Sequence, residues 1–247
     1  MDSNRVSPDA PHNMEEVSGP KQNLLFSEQS IRSRFVAKVF ILVTIMFGIV
    51  TIMCAMPFII PSFKEWVQSN LVFFYVSIGV FFVTSLVLLC STSVRRSYPL
   101  NLIALAVFTL AAGYMTMATT SAYDVQSVLL ALCITTGTSA AIIIFAMFIK
   151  KDLTTCVGIA YVLGTTMMFF GLTAIIACFA FQVTFLYTVY AVLGALLSML
   201  YLAIDIQLIM GGRRLELSPE EYIFAAMQIF LDILNIFLFI LQIFGKN

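Results

Sequence analysis

Seven apolar runs, each about twenty residues long and closed by a short polar break, constrain this chain more than any single motif in it. They are approximately Phe35–Ile60, Leu71–Cys90, Pro99–Thr119, Val125–Ile149, Leu153–Cys178, Thr184–Met210 and Glu221–Phe244. A run of that length crosses the hydrocarbon core of a bilayer as a helix. Lipid offers the backbone no hydrogen-bond partner, which leaves helices or closed barrels. Barrel strands would alternate in polarity over about ten residues, whereas these runs are continuous. The expected fold is all-α: a polytopic membrane protein with seven transmembrane helices over residues 34–247.

Composition agrees, because 61% of the residues are hydrophobic and 11% charged, against roughly half and a quarter in a soluble domain. A soluble fold is excluded, the lipid bilayer is the first partner, and no nucleic-acid partner or cofactor is expected. Residues 1–33 are polar, include Pro8, Pro11 and Pro20, and read as a disordered cytosolic tail. No short apolar core with a small-residue cleavage site opens the chain, so the first helix is expected to direct insertion. Cys54, Cys90, Cys133, Cys156 and Cys178 fall within or at the ends of apolar runs and read as packing residues rather than a disulfide framework.

Charge sets the orientation. With a cytosolic N-terminus, the inner segments hold Arg5, Lys21, Arg32, Arg34, Lys38, Arg95, Arg96, Lys150, Lys151, Arg213 and Arg214, and the outer ones only Lys64 and Lys246. That is a strong positive-inside bias for seven spans. A re-entrant hairpin in the last segment gives nearly the same count, so charge does not choose between the two. Pro57 and Pro61 are expected to end the first span, and Pro99 to sit in the first turn of the third. Gly137 with Ala141 and Gly194 with Ser198 would let helices approach closely.

Eleven of the thirteen acidic residues lie in the tail or near the ends of apolar runs; Asp205 and Asp232 do not. An ionisable group inside a span is costly and points to function. Ser218-Pro219-Glu220-Glu221 reads as a helix start, with Ser218 as cap and Glu221 reaching back to it. From that start Asp232 lies on the order of 15 Å in from Tyr222, and Asp205 about 9 Å in from Gly211. Gln228, Asp232 and Asn235 share one helix face, as do Ser198, Tyr201 and Asp205. Two such stripes on consecutive antiparallel helices would most economically face each other.

Two carboxyls held within a few Å in a dry site cannot both ionise cheaply, so they share a proton and titrate as a unit. Such a latch could bias a closed against an open arrangement. The only histidine, His12, is in the tail. Ca²⁺ takes six to eight oxygen ligands, and Asp205 and Asp232 with Asn235, Gln228, Ser198, Tyr201 and backbone carbonyls would supply a weak, transient site. The bland reading makes the pair a hydrogen bond that only fixes helix packing. Thr135, Thr136, Thr138 and Ser139 either line a pore or bond back to helix carbonyls, the latter being the commoner use. Catalysis is not expected: the aspartates lack the Tyr-Asp and Gly-x-Gly-Asp settings of intramembrane aspartyl proteases, and no span holds a histidine for zinc.

Gly194-Ala195-Leu196-Leu197, Asp205-Ile206-Gln207-Leu208, Leu217-Ser218-Pro219-Glu220-Glu221-Tyr222 and Leu231-Asp232-Ile233-Leu234-Asn235 resemble the C-terminal signature of the Bax inhibitor family, specifically its Lifeguard branch. Arg95-Arg96 before Pro99-Leu100-Asn101-Leu102 and Ile134-Thr135-Thr136 are similar in order and spacing, while Ile206 stands where the branch usually has Thr. The resemblance implies seven helices with the last one central and surrounded by the other six. It further implies an anti-apoptotic role, a calcium leak from intracellular stores such as endoplasmic reticulum or Golgi, and a pH-responsive pair at Asp205 and Asp232. An arginine near the second helix, here Arg95 or Arg96, would pair with the first aspartate. A non-conducting regulator that binds apoptosis-regulating or calcium-handling membrane proteins is the other class of function.

Overall fold

The computed structural model describes residues 20–181 and 184–245, with side chains from residue 28 onward apart from 179, 181 and 184. The first part of the tail, with Arg5 and His12, lies outside the described residues, as do Lys246 and the Lys21 side chain. Among the described residues the chain is entirely helical, and seven helices are long and apolar enough to cross a membrane.

Helix α1 (Pro20–Ile59) opens inside the stretch read as an unstructured tail. No breaker separates Lys21 from the apolar run, and a nucleated helix extends at little cost. Pro57 lies within its last turn rather than ending it, while Pro61 opens the short α2 (Pro61–Ser69) as its first residue. Next come α3 (Leu71–Cys90), the five-residue α4 (Thr92–Arg96) and α5 (Leu100–Thr120), with Pro99 at the cap of α5. Helix α6 (Val125–Phe148) leads through a 3₁₀ turn at Leu153–Cys156 into α7 (Val157–Phe181), followed by α8 (Thr184–Met210). A second 3₁₀ turn, Pro219–Glu221, starts α9 (Tyr222–Phe244). Helix α9 is unbroken over 23 residues, roughly 34 Å and long enough to cross. The hairpin alternative is thereby removed.

Helix α9 is the most buried of the seven candidate spans, and its chief neighbours are α8, α1, α6 and α5. Helices α3 and α7 stand further out, packed mainly on α5 and α8 respectively. Aromatic rings tie the layers together. Phe230 of α9 meets Phe47 of α1 with centroids 4.8 Å apart and Phe108 of α5 at 6.0 Å, and Phe108 in turn stacks on Phe81 of α3 at 5.2 Å. Ring pairs at such offsets stabilise beyond their area, by about 0.5–1.5 kcal/mol each.

The small residues divide. Gly194 leaves room for the Phe239 ring, which is held edge-on by Tyr190 at 5.6 Å. Gly137 has nothing within 4 Å of where a side chain would begin, so it allows no close approach. Gly211 and Gly212, with φ of 72° and 71°, turn the chain out of α8 in the left-handed region that disfavours a side chain. The five cysteines are all free.

Gly194→Ala should therefore lower stability by ~1–3 kcal/mol through overpacking. Gly137→Ala should raise it by up to ~1 kcal/mol through helix propensity. Thermal unfolding of the purified protein in detergent, followed by intrinsic fluorescence, measures both.

Candidate functional site

Helices α8 and α9 are antiparallel neighbours joined by a short turn, and their packing is the most extensive in the molecule. It brings Asp205 and Asp232 together, with their carboxyls close enough to interact across the interface. Two carboxyl oxygens can share a hydrogen bond only if a proton lies between them. Asp232 is 8% exposed. Its Oδ2 has no hydrogen-bond partner among the described residues, and an orphaned acceptor at this depth is costly.

The neighbours expected around the pair are only partly gathered there. Tyr201 lies close enough to feel both carboxyls. Its hydroxyl, however, donates to the Ala160 carbonyl of α7 at 2.7 Å, in space left by Gly164. Ser198 is buried on the same helix and Gln228 half-buried on α9, but neither hydrogen-bonds a carboxyl. Asn235 is exposed. A step of three residues turns it about 60° from Asp232, and that is enough to carry it off the α8 interface. The polar stripes thus converge at the aspartates alone. Among the described residues no group of three or more His, Cys, Asp or Glu is placed to hold a metal.

Neither arginine reaches the aspartates. Arg95 Nε stands 2.8 Å from Glu221 Oε2, and its Nη1 donates to the Leu88 and Leu89 carbonyls at 3.0 and 2.9 Å. Arg96 donates through Nε and Nη2 to Glu221 Oε1 at 3.0 and 2.8 Å, with Nη1 2.9 Å from Glu220. The reason is position: α4 lies at the end of the bundle where α9 starts, so the guanidiniums meet acids in the first turn before they could reach ten residues inward. Ser218 Oγ accepts from Glu220 N at 3.4 Å, but the Glu221 carboxylate turns to the arginines instead of back to the cap.

This end of the molecule gathers further basic residues. Arg32 of α1 pairs with Glu216 at 2.8 Å and donates to the Leu217 carbonyl at 2.6 Å. Arg213 donates to the Ile149 and Lys150 carbonyls at 2.6 and 2.8 Å. The Thr154 hydroxyl and the Arg214 N–H hold the Asp152 carboxyl below its usual range. The Lys38 ammonium sits 3.2 Å from the Tyr222 ring centroid, and the Tyr222 hydroxyl accepts from Asn101 at 2.7 Å.

Two polar residues escaped the sequence reading. The cap motif alone predicts a helix-start role for Glu221, and the ion-pair network it joins is signalled only by two arginines and two glutamates at the same membrane side. Gln207 is 1% exposed and two residues from Asp205. Its amide accepts from Leu153 N at 2.7 Å and donates to the Lys151 carbonyl at 3.0 Å, tying α8 to the loop before α7. A lone glutamine in a span carries that signal only weakly.

These features define an integral membrane protein of seven helices with a carboxyl pair between its last two. The family described as inhibitor of apoptosis-promoting Bax1 matches residues 32–247. Protein lifeguard 3 of Homo sapiens is 36% identical over 222 residues, covering 90% of this chain and 71% of that protein; its Mus musculus counterpart is 37% identical, covering 90% and 72%. Bax inhibitor 1 of Schizosaccharomyces pombe is 29% identical over 217 residues, covering 88% and 78%. The chain belongs to the Bax inhibitor family, in its Lifeguard branch.

Glu221→Gln should destabilise the fold by on the order of 3 kcal/mol, because it strips the counter-charge from Arg95, whose side chain is only 12% exposed. Glu220→Gln, at a side chain 67% exposed, should cost less than ~1 kcal/mol. Unfolding temperatures of the two variants, measured side by side, check the difference.

Proposed function

We propose that this protein is a calcium leak channel of an intracellular membrane, controlled by the proton shared between Asp205 and Asp232, and that its cellular effect is to restrain apoptosis. The observation that carries the reading is the juxtaposition of the two carboxyls across α8 and α9, close enough to share a proton. While the proton is shared, the bond holds the helices together. Its loss leaves two like charges in a medium of low dielectric, where their repulsion is several-fold stronger than in water. The helices then part, and the two carboxylates offer oxygen to a cation.

The arginines favour this direction over the opposite one. Arg95 and Arg96 are already engaged by Glu221 and Glu220, so neither is free to neutralise the deprotonated pair and close the path. Tyr201 is the other titratable group near the carboxyls, and its hydroxyl is committed to α7. The basic residues collected at one end support a cytosolic placement of that end by the positive-inside rule. A protective role in cell death is supported by the family, whose description names inhibition of a death-promoting protein; the membrane of the endoplasmic reticulum or Golgi is the placement that belongs to this reading.

The test is calcium flux into liposomes holding the purified chain, across a pH series, beside Asp205→Asn and Asp232→Asn. Flux from the native chain should rise as pH increases through the titration of the pair, and both variants should flatten that profile. No flux above empty vesicles would sink the channel and leave a non-conducting regulator that acts by binding other membrane proteins. Flux with an unchanged pH profile in both variants would spare the channel and remove the carboxyl switch.

A further inference from the structure

A second site lies on the other side of α9. A cavity of about 640 Å³ is enclosed by α1, α6 and α9, with Phe47, Phe58 and Phe237 among its walls. That volume suits one ligand of modest size. No charged side chain lines it, so nothing there would hold a phosphate, carboxylate or ammonium group. Helices α1 and α6 each pack on α9 rather than closely on one another. The rim residues Ile59, Leu129 and Leu132 are exposed to the extent of 74%, 55% and 42%. In a bilayer that rim meets lipid, and the cavity opens sideways into the hydrocarbon.

Two hydroxyls in the wall are out of place. Thr135 and Ser139, one helical turn apart on α6, are 3% and 4% exposed, and neither hydroxyl oxygen has a hydrogen-bond partner among the described residues. Two other threonines of the wall are satisfied: Thr136 bonds back to the Leu132 carbonyl at 2.8 Å and Thr116 to that of Ala112 at 2.8 Å. Thr135 stands ten residues into α6, about 15 Å from its end, a depth at which neither water nor lipid headgroups supply a partner. Both residues line the cavity, and each hydroxyl has other staggered χ1 positions open to it.

We propose that this cavity binds a membrane lipid with a single hydroxyl on a rigid apolar body, of the sterol class, with that hydroxyl bonded to Thr135 and Ser139. One hydroxyl both donates and accepts, so it can satisfy both side chains at once. An uncharged, one-sided amphiphile matches a wall that is largely apolar and holds no charged side chain, whereas a phospholipid would bring a charged headgroup the wall cannot pair. A rigid ligand also loses less conformational freedom on entry than an acyl chain.

The experiment uses the full chain in phosphatidylcholine nanodiscs and a photoactivatable sterol probe that keeps its free hydroxyl. Labelling should saturate, map to α1, α6 and α9, and be competed by unlabelled sterol. Leu129→Trp at the rim and Ala140→Trp within the wall should abolish it. Thr135→Val with Ser139→Ala should weaken apparent affinity about five-fold, the effect of one net hydrogen bond. If the double variant does not fold, the rim variant, on a lipid-facing position, carries the test. Labelling that fails to saturate or survives both tryptophans would overturn the proposal. So would equal competition by the deoxy hydrocarbon, or displacement by phospholipid alone.

Discussion

Hydrocarbon gives a polar group no partner, and the arrangement of this bundle follows from where its polar side chains find one. Backbone groups are satisfied by the helices themselves. Side chains have to be satisfied by neighbours, and Asp205 and Asp232 do so by meeting across α8 and α9. That meeting fixes the rotation of both helices about their axes. It also turns the remaining faces of α9 toward α1, α5 and α6, where Phe230 anchors the aromatic chain that runs out to α3.

A different solution operates at the basic end. There Arg95, Arg96, Glu220 and Glu221 form a network that joins α4 to the first turn of α9. Each cation there has an acidic partner at 2.8 or 2.9 Å, which offsets the cost of taking the charges out of water. The two centres therefore do separate work. The ion pairs hold the start of α9 in place, and the carboxyls further along it join α9 to α8.

Helix number, the boundaries of the central spans and the meeting of the two aspartates were legible in the sequence, since length and apolarity decide which segments enter lipid and an acid within one is conspicuous. The opening of α1 at Pro20 was not, because polar residues in a continuing helix look like those of a tail. Asn235 was misplaced by treating a helix face as broader than the interface it meets. Thr136 behaves as a back-bonding threonine while Thr135 does not, and nothing in two adjacent identical residues distinguishes them.

Seven spans, their order and the sidedness of charge are properties of the chain alone, because insertion reads each segment one at a time by its own hydropathy and flanking charge. Which carboxylate the arginines choose, whether Gly194 or Gly137 admits a ring, and which hydroxyls are left without partners are properties of the assembled bundle. They depend on the rotation of each helix and on what stands opposite it. A helix presents several faces at equal intrinsic cost, and only packing against specific neighbours selects one.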